Sequence, residues 1–153
     1  MLQRIQTIYL GFVILLAVFF IFLPIGVFGG EHRLILSSVT AFVEVYPSFG
    51  HTGFQALLFV LCAGILALTV YTIMNFRRRR LQIRIGKFNI LLHLALLVVT
   101  FFYLDHIKAQ IPGAEFSYGP GIFLPLFSLL LILMANRAIK RDENLIRAAD
   151  RIR

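Results

Sequence analysis

An ionisable side chain inside an otherwise apolar run is the first place to look for chemistry. This chain has one in His93, with Asn89 one turn before it and Thr100 two turns after it on nearly the same helical face. Such a set could hold a small solute or a proton in a cavity near His93. The plainer reading is a neutral His93 that hydrogen-bonds within a bundle, with Asn89 as one partner, and only joins helices. His93 and His106 also have the spacing with which one helix offers axial ligands to two stacked haems, but His32 and His51 lie in polar sequence and supply no second intramembrane ligand.

A second set, Asp105, His106 and Glu115, stands just beyond an apolar run, with Glu31, Glu44 and His51 in another polar stretch. Carboxylates beside an imidazole can bind a metal or exchange protons, although residues of this kind also form the ordinary hydrated rim of a membrane protein. No recognised ligand spacing is present, nor an H-E-x-x-H, a G-x-S-x-G, a Walker pattern or a Gly-rich phosphate loop. Cys62 is the single cysteine, so no intrachain disulfide can form. Pro125 and Ser128, with Thr69, complete the polar and helix-breaking inventory of the apolar runs, which is thin for a solute path. The expectation is therefore a protein with no catalytic, cofactor or metal residues of its own.

The elements that carry these residues are read from the apolar runs. Of the 153 residues, 59% are hydrophobic and 14% charged, with a mean hydropathy of +0.88, too apolar for a water-soluble domain of this size. The pattern predicts an all-α membrane protein, a four-helix transmembrane bundle with spans at about 8–28, 54–76, 88–104 and 120–136. In the first run Pro24 and Gly26 are expected to kink the outer end. A cleavable signal peptide, with Arg4 as its basic start, would have a shorter apolar core, so the run is read as a retained span. The third run is short, with Lys87 and Lys108 placed to snorkel.

Between the first two runs, Val39 to Tyr46 alternates β-branched and aromatic residues with others, which predicts a short strand, paired with Arg33 to Leu36 across Ser37-Ser38. Gly119-Pro120-Gly121 marks the start of the fourth helix. Ala56, Ala63, Gly64 and Ala67 form a small-residue patch on the second span, read as a site of close packing inside the bundle in preference to one against another subunit.

Charge orients the map. Of the 15 Lys and Arg, Arg33 and Lys108 alone lie in the polar stretches on one side. The remainder are Arg4, then Arg77, Arg78, Arg79, Arg80, Arg84 and Lys87, then Arg137, Lys140, Arg141, Arg147, Arg151 and Arg153. That bias predicts cytoplasmic termini, a cytoplasmic arginine loop and an external loop with β character. The net charge of +8 is confined to these clusters, which argues against a nucleic-acid surface. Residues 138–153 read as an amphipathic cytoplasmic tail helix, lying on anionic inner-leaflet headgroups or on a partner. Asp142 interrupts its apolar arc.

The start, Met1-Leu2-Gln3-Arg4-Ile5-Gln6-Thr7-Ile8-Tyr9-Leu10, and the stretch from Ala135-Asn136-Arg137 through Lys140-Arg141-Asp142-Glu143 to Arg147 and Arg151 resemble a family of four-span inner-membrane proteins from Bacteroidota, a domain of unknown function. The resemblance implies an inner-membrane location and brings no activity. With the polar identity gathered at these ends, the expectation is a non-enzymatic accessory or scaffolding subunit of a larger inner-membrane complex, with protein export or respiratory assemblies as first hosts. Arg4, Arg77 to Arg80, Asn136, Arg137, Lys140, Arg141, Arg147 and Arg151 are its expected docking or orienting residues. The alternative is a small transporter or lipid-binding protein with a cavity near His93 and Asn89.

Overall fold

The computed structural model describes residues 3–29, 34–37, 41–43, 53–76, 78–110 and 115–150. Four long helices dominate it: α1 (Gln3–Phe22), α2 (Gly53–Met74), α3 (Arg79–Gln110) and α4 (Leu124–Asp150). Each is long and apolar enough to cross a membrane. The helices close into a ring, each packed on its neighbours in the chain and α4 closing on α1.

The buried positions advance by alternating steps of three and four. On α3 they are Gln82, Gly86, Asn89, His93, Leu96, Thr100, Tyr103 and Ile107, and α1 follows the same rule with Gln6, Leu10, Val13, Ala17 and Phe20. α2 continues it with Gln55, Leu58, Cys62, Ile65, Thr69 and Thr72. A repeat averaging 3.5 residues keeps one seam of each helix facing its neighbours, as in left-handed bundles. The seam is polar for an interior, and the outside is apolar: Phe12, Phe19, Phe59, Val60, Phe101 and Phe127 are all exposed. A surface of that composition suits lipid as its solvent.

Several boundaries differ from those expected. The first helix ends at Phe22, not Phe28; Pro24 stops it without kinking it, because the residue before a proline is pushed out of the helical region. Residues Pro24–Gly29 instead form strand β1, with Pro24 at its first position, where a missing N–H is tolerated. β1 pairs antiparallel with β2 (Leu34–Ser37) on one side and with β4 (Glu115–Tyr118) on the other, and β3 (Ala41–Val43) extends the sheet in the order β3-β2-β1-β4. The remainder of the expected strand, Val39, Thr40 and Glu44 to Tyr46, lies outside the described residues, as do Glu31, His32, Arg33 and His51.

The polar stretch after Leu104 is largely helical, since α3 continues to Gln110. The expected arginine loop is likewise mostly helix. Arg78 caps α3 with its carbonyl, which accepts from Leu81 N at 2.9 Å and Gln82 N at 3.1 Å, so Arg79, Arg80, Arg84 and Lys87 stand on α3 itself. The third span is therefore not short. Nor is the tail a separate helix: α4 runs unbroken through Asn136 to Asp150. Ala56, Ala63 and Ala67 face outward, so these members of the small-residue patch do not pack inside the bundle. Before α4 a turn of 3-10 helix, Pro120–Phe123, lies across β1, and a Cβ at Gly119 would stand 2.2 Å from the Pro24 carbonyl oxygen, so only glycine fits.

Candidate functional site

Two polar regions lie on the seam. The first is at mid-bundle. The Asn89 side-chain amide donates to Thr69 Oγ1 at 2.8 Å, and the Thr69 hydroxyl donates to the Ile65 carbonyl one turn back at 2.7 Å. His93 Nδ1 lies 2.8 Å from the Asn89 carbonyl oxygen, and Nε2 lies 2.8 Å from Ser128 Oγ on α4. A carbonyl can only accept, so Nδ1 carries the proton and Nε2 of the neutral ring accepts from the Ser128 hydroxyl. Both ring nitrogens are engaged in binding α3 to itself and to α4. The cavity beside them, between Ala17, Phe20, Ile65, His93, Leu96 and Ser128, measures about 10 Å³. That is room for about one water.

At the sheet end, Gln55 Nε2 donates to the Tyr103 hydroxyl at 3.0 Å and joins α2 to α3. Asp105, His106 and Glu115 are exposed. His106 rests against the Phe54 ring with centroids 5.3 Å apart, and Lys108 Nζ sits 4.0 Å over the Phe116 ring. Among the described residues no three His, Cys, Asp or Glu side chains are placed to hold a metal ion.

The second region is at the other end, where the basic residues of α3 and α4 meet α1. Asp142, the interruption in the apolar arc, is buried and accepts from Gln6 Nε2 across the α1–α4 contact. Its backbone carbonyl accepts from Arg79 Nη1 at 3.3 Å. Arg80 Nε meets Glu143 Oε1 at 3.3 Å, and Gln82 Nε2 donates to the Thr72 carbonyl at 2.8 Å. The acidic groups of the tail thus fasten α4 to α1 and α3. A helical wheel of the tail alone marks Asp142 as a defect because its partner lies at the far end of the chain. The three-and-four spacing would have found it, since Ile132, Ala135, Ile139 and Asp142 continue one seam.

Of the expected docking or orienting residues, Arg78, Arg80, Arg137, Lys140 and Arg141 are exposed at this basic end and Arg79 is half-buried. Arg4 and Arg147 stand on α1 and α4, whereas Arg77 and Arg151 lie outside the described residues. Asn136 points its amide at α3, where a Cβ on Gly86 would stand 1.9 Å from its Oδ1. Neither amide atom of Asn136, nor Asn89 Oδ1, has a hydrogen-bond partner among the described residues. α4 then continues past the Arg80–Glu143 ion pair, with Leu145 and Ile146 52% and 45% exposed.

A family model described as Domain of unknown function (DUF4293) matches residues 2–152, and the chain belongs to that family. No curated protein matches it.

Proposed function

We propose that this member of the DUF4293 family is a non-enzymatic accessory subunit of a larger bacterial inner-membrane complex, docking through the basic end of the bundle. The observation that carries the reading is the overhang of α4. Beyond Glu143 the helix presents Leu145 and Ile146 on a segment that also bears Asn144 and Arg147, and about half of each of those two apolar side chains is left uncovered by the described residues. Exposed apolar side chains rimmed by charge at the water-facing end of a bundle suit a protein partner. The outward Ala63 and Ala67 on α2 offer a second place where a helix could approach closely.

Orientation follows from charge. Arg78, Arg79, Arg80, Arg84, Lys87, Arg137, Lys140 and Arg141 gather at one end, against Lys108 at the other, which favours a cytoplasmic basic end with both termini and a periplasmic sheet. The resemblance at the two terminal segments favours Bacteroidota as the source. Protein-export and respiratory assemblies are the first hosts to examine. The solute-binding alternative is disfavoured by the size of the cavity at His93.

Truncation after Asn136 is a poor test, because it removes the buried Ile139, Asp142 and Glu143 together with the overhang. The double substitution Leu145→Ser and Ile146→Ser spares the bundle. Purification in mild detergent should recover stoichiometric partners with the parent chain and lose them with the double variant. A lone, monodisperse parent chain under several mild conditions would refute the reading.

A further inference from the structure

A groove of about 410 Å³ runs between α1 and α4 at the basic end, floored by Ile5, Tyr9, Met134 and Ala138 and edged by Arg137 and Arg141. We propose that it is a specific site for one anionic diacyl phospholipid, with an acyl chain along the apolar floor and the phosphate between the two guanidinium groups. Three observations carry this. First, the floor opens to the outer surface of the bundle, since Ile5 and Met134 are 47% and 45% exposed on faces that otherwise meet lipid. Second, Arg137 and Arg141 are four residues apart on one helix, so they stand side by side and can grip one phosphate with two forks. Neither takes part in an ion pair among the described residues. The one carboxylate in the groove wall, Asp142, is buried and bonded to Gln6, and against two arginines it leaves the lining with a net positive charge.

Third, an adjoining recess of about 380 Å³ shares Arg137 and Arg141 and adds Lys140, Asn144 and Leu145. It extends the groove in the direction of water, away from Met134, where a polar headgroup would lie. Apolar floor, paired cations and a recess edged by Lys140 and Asn144 thus follow one another along α4 in the order of a phospholipid's own parts. Basic pockets between helices at the cytoplasmic side are suited to such headgroups. Leu145 borders the recess, but the groove floor of Ile5, Tyr9, Met134 and Ala138 does not include the overhang, so filling that floor tests lipid binding apart from partner docking.

Native mass spectrometry of the full chain in mild detergent tests it, with palmitoyl-oleoyl phosphatidylglycerol or the matching phosphatidylcholine added. Phosphatidylglycerol should be retained about thirtyfold more than phosphatidylcholine, as expected for two membrane-level cations. Arg137→Gln with Arg141→Gln should erase that preference, and Arg80→Gln on α3 should leave it intact. Met134→Trp, which fills the floor and keeps both arginines, should reduce retention of phosphatidylglycerol. Inorganic phosphate at millimolar concentration should not displace the lipid. Equal retention of the two lipids, unchanged preference in the double arginine variant, unchanged retention in Met134→Trp, or displacement by phosphate alone would each overturn the proposal.

Discussion

The middle of the bundle and its basic end use the same three-and-four positions, yet they treat polar groups differently. At mid-bundle, Thr69, Asn89, His93 and Ser128 bond to one another and to the backbone beside a cavity of about 10 Å³, with Asn89 Oδ1 left without a partner among the described residues. At the basic end, Asp142 and Glu143 are taken by Gln6 and Arg80, while Arg137, Lys140 and Arg141 remain without hydrogen bonds or ion pairs among the described residues. A polar set that closes on itself fastens helices. One that leaves cations over an apolar groove has capacity for something else. In lipid the contrast would sharpen, because water is scarce at the middle of a bilayer, whereas charged side chains at the end of a span can reach the headgroups.

The strongest way to break the comparison is at Gln6. If Asp142 serves as a fastener, Gln6→Leu strands a buried carboxylate, and loss of a hydrogen bond to a charged group should cost about 2–3 kcal/mol. Denaturation by sodium dodecyl sulfate in mixed micelles should show the shift, and Gln6→Leu with Asp142→Leu should recover most of it, since two apolar side chains would then meet. A neutral Gln6→Leu would mean that the bond from Gln6 to Asp142 does not hold α1 to α4.

Gly86 probes the boundary between the two regions. A Cβ there would stand 1.9 Å from Asn136 Oδ1 and 2.6 Å from its Cγ, so Gly86→Ala forces the Asn136 side chain aside. The better helix propensity of alanine returns up to about 1 kcal/mol, but overpacking costs about 1–3 kcal/mol, so a net loss is expected in the same unfolding assay. Asn136→Ala should be nearly neutral alone, because the amide has no partner among the described residues, and it should rescue Gly86→Ala. Failure of that rescue would mean that the conflict at Gly86 lies with the backbone of α4 and not with its asparagine.

Much of this was legible in the residues. Four apolar runs and two basic clusters are enough to predict the helices and to separate their ends. Harder to read were the places where local signals compete with tertiary ones. Pro24 lies in an apolar run with no polar punctuation, and the segment becomes a strand by pairing with Leu34 to Ser37 on one side and with Glu115 to Tyr118, some ninety residues away, on the other. The arginines after Phe76 look like a loop because charge normally ends a span, but Arg and Lys are good helix formers and α3 starts among them. Asp142 looks misplaced until Gln6 is set beside it. At mid-bundle, Asn89 and His93 were legible as a pair, while Thr69 and Ser128 lacked a stated link to them because the neighbour across a helix contact is not written in either helix alone.

The last and smallest test falls on that link. Asn89 and His93 were the residues best suited to hold a solute, and the bond from Ser128 to His93 Nε2 accounts for the ring without one. A double-mutant cycle of His93→Leu and Ser128→Ala in the unfolding assay should give a coupling of about 0.6 kcal/mol, the usual worth of a hydrogen bond between membrane helices, and at most about 1.7. His93→Leu alone should lower stability by more than the coupling, because Asn89 also loses a contact and leucine must fit beside a cavity of only about 10 Å³. No measurable coupling, together with unchanged stability in His93→Leu, would leave the histidine without a structural task and return it to the solute-binding reading.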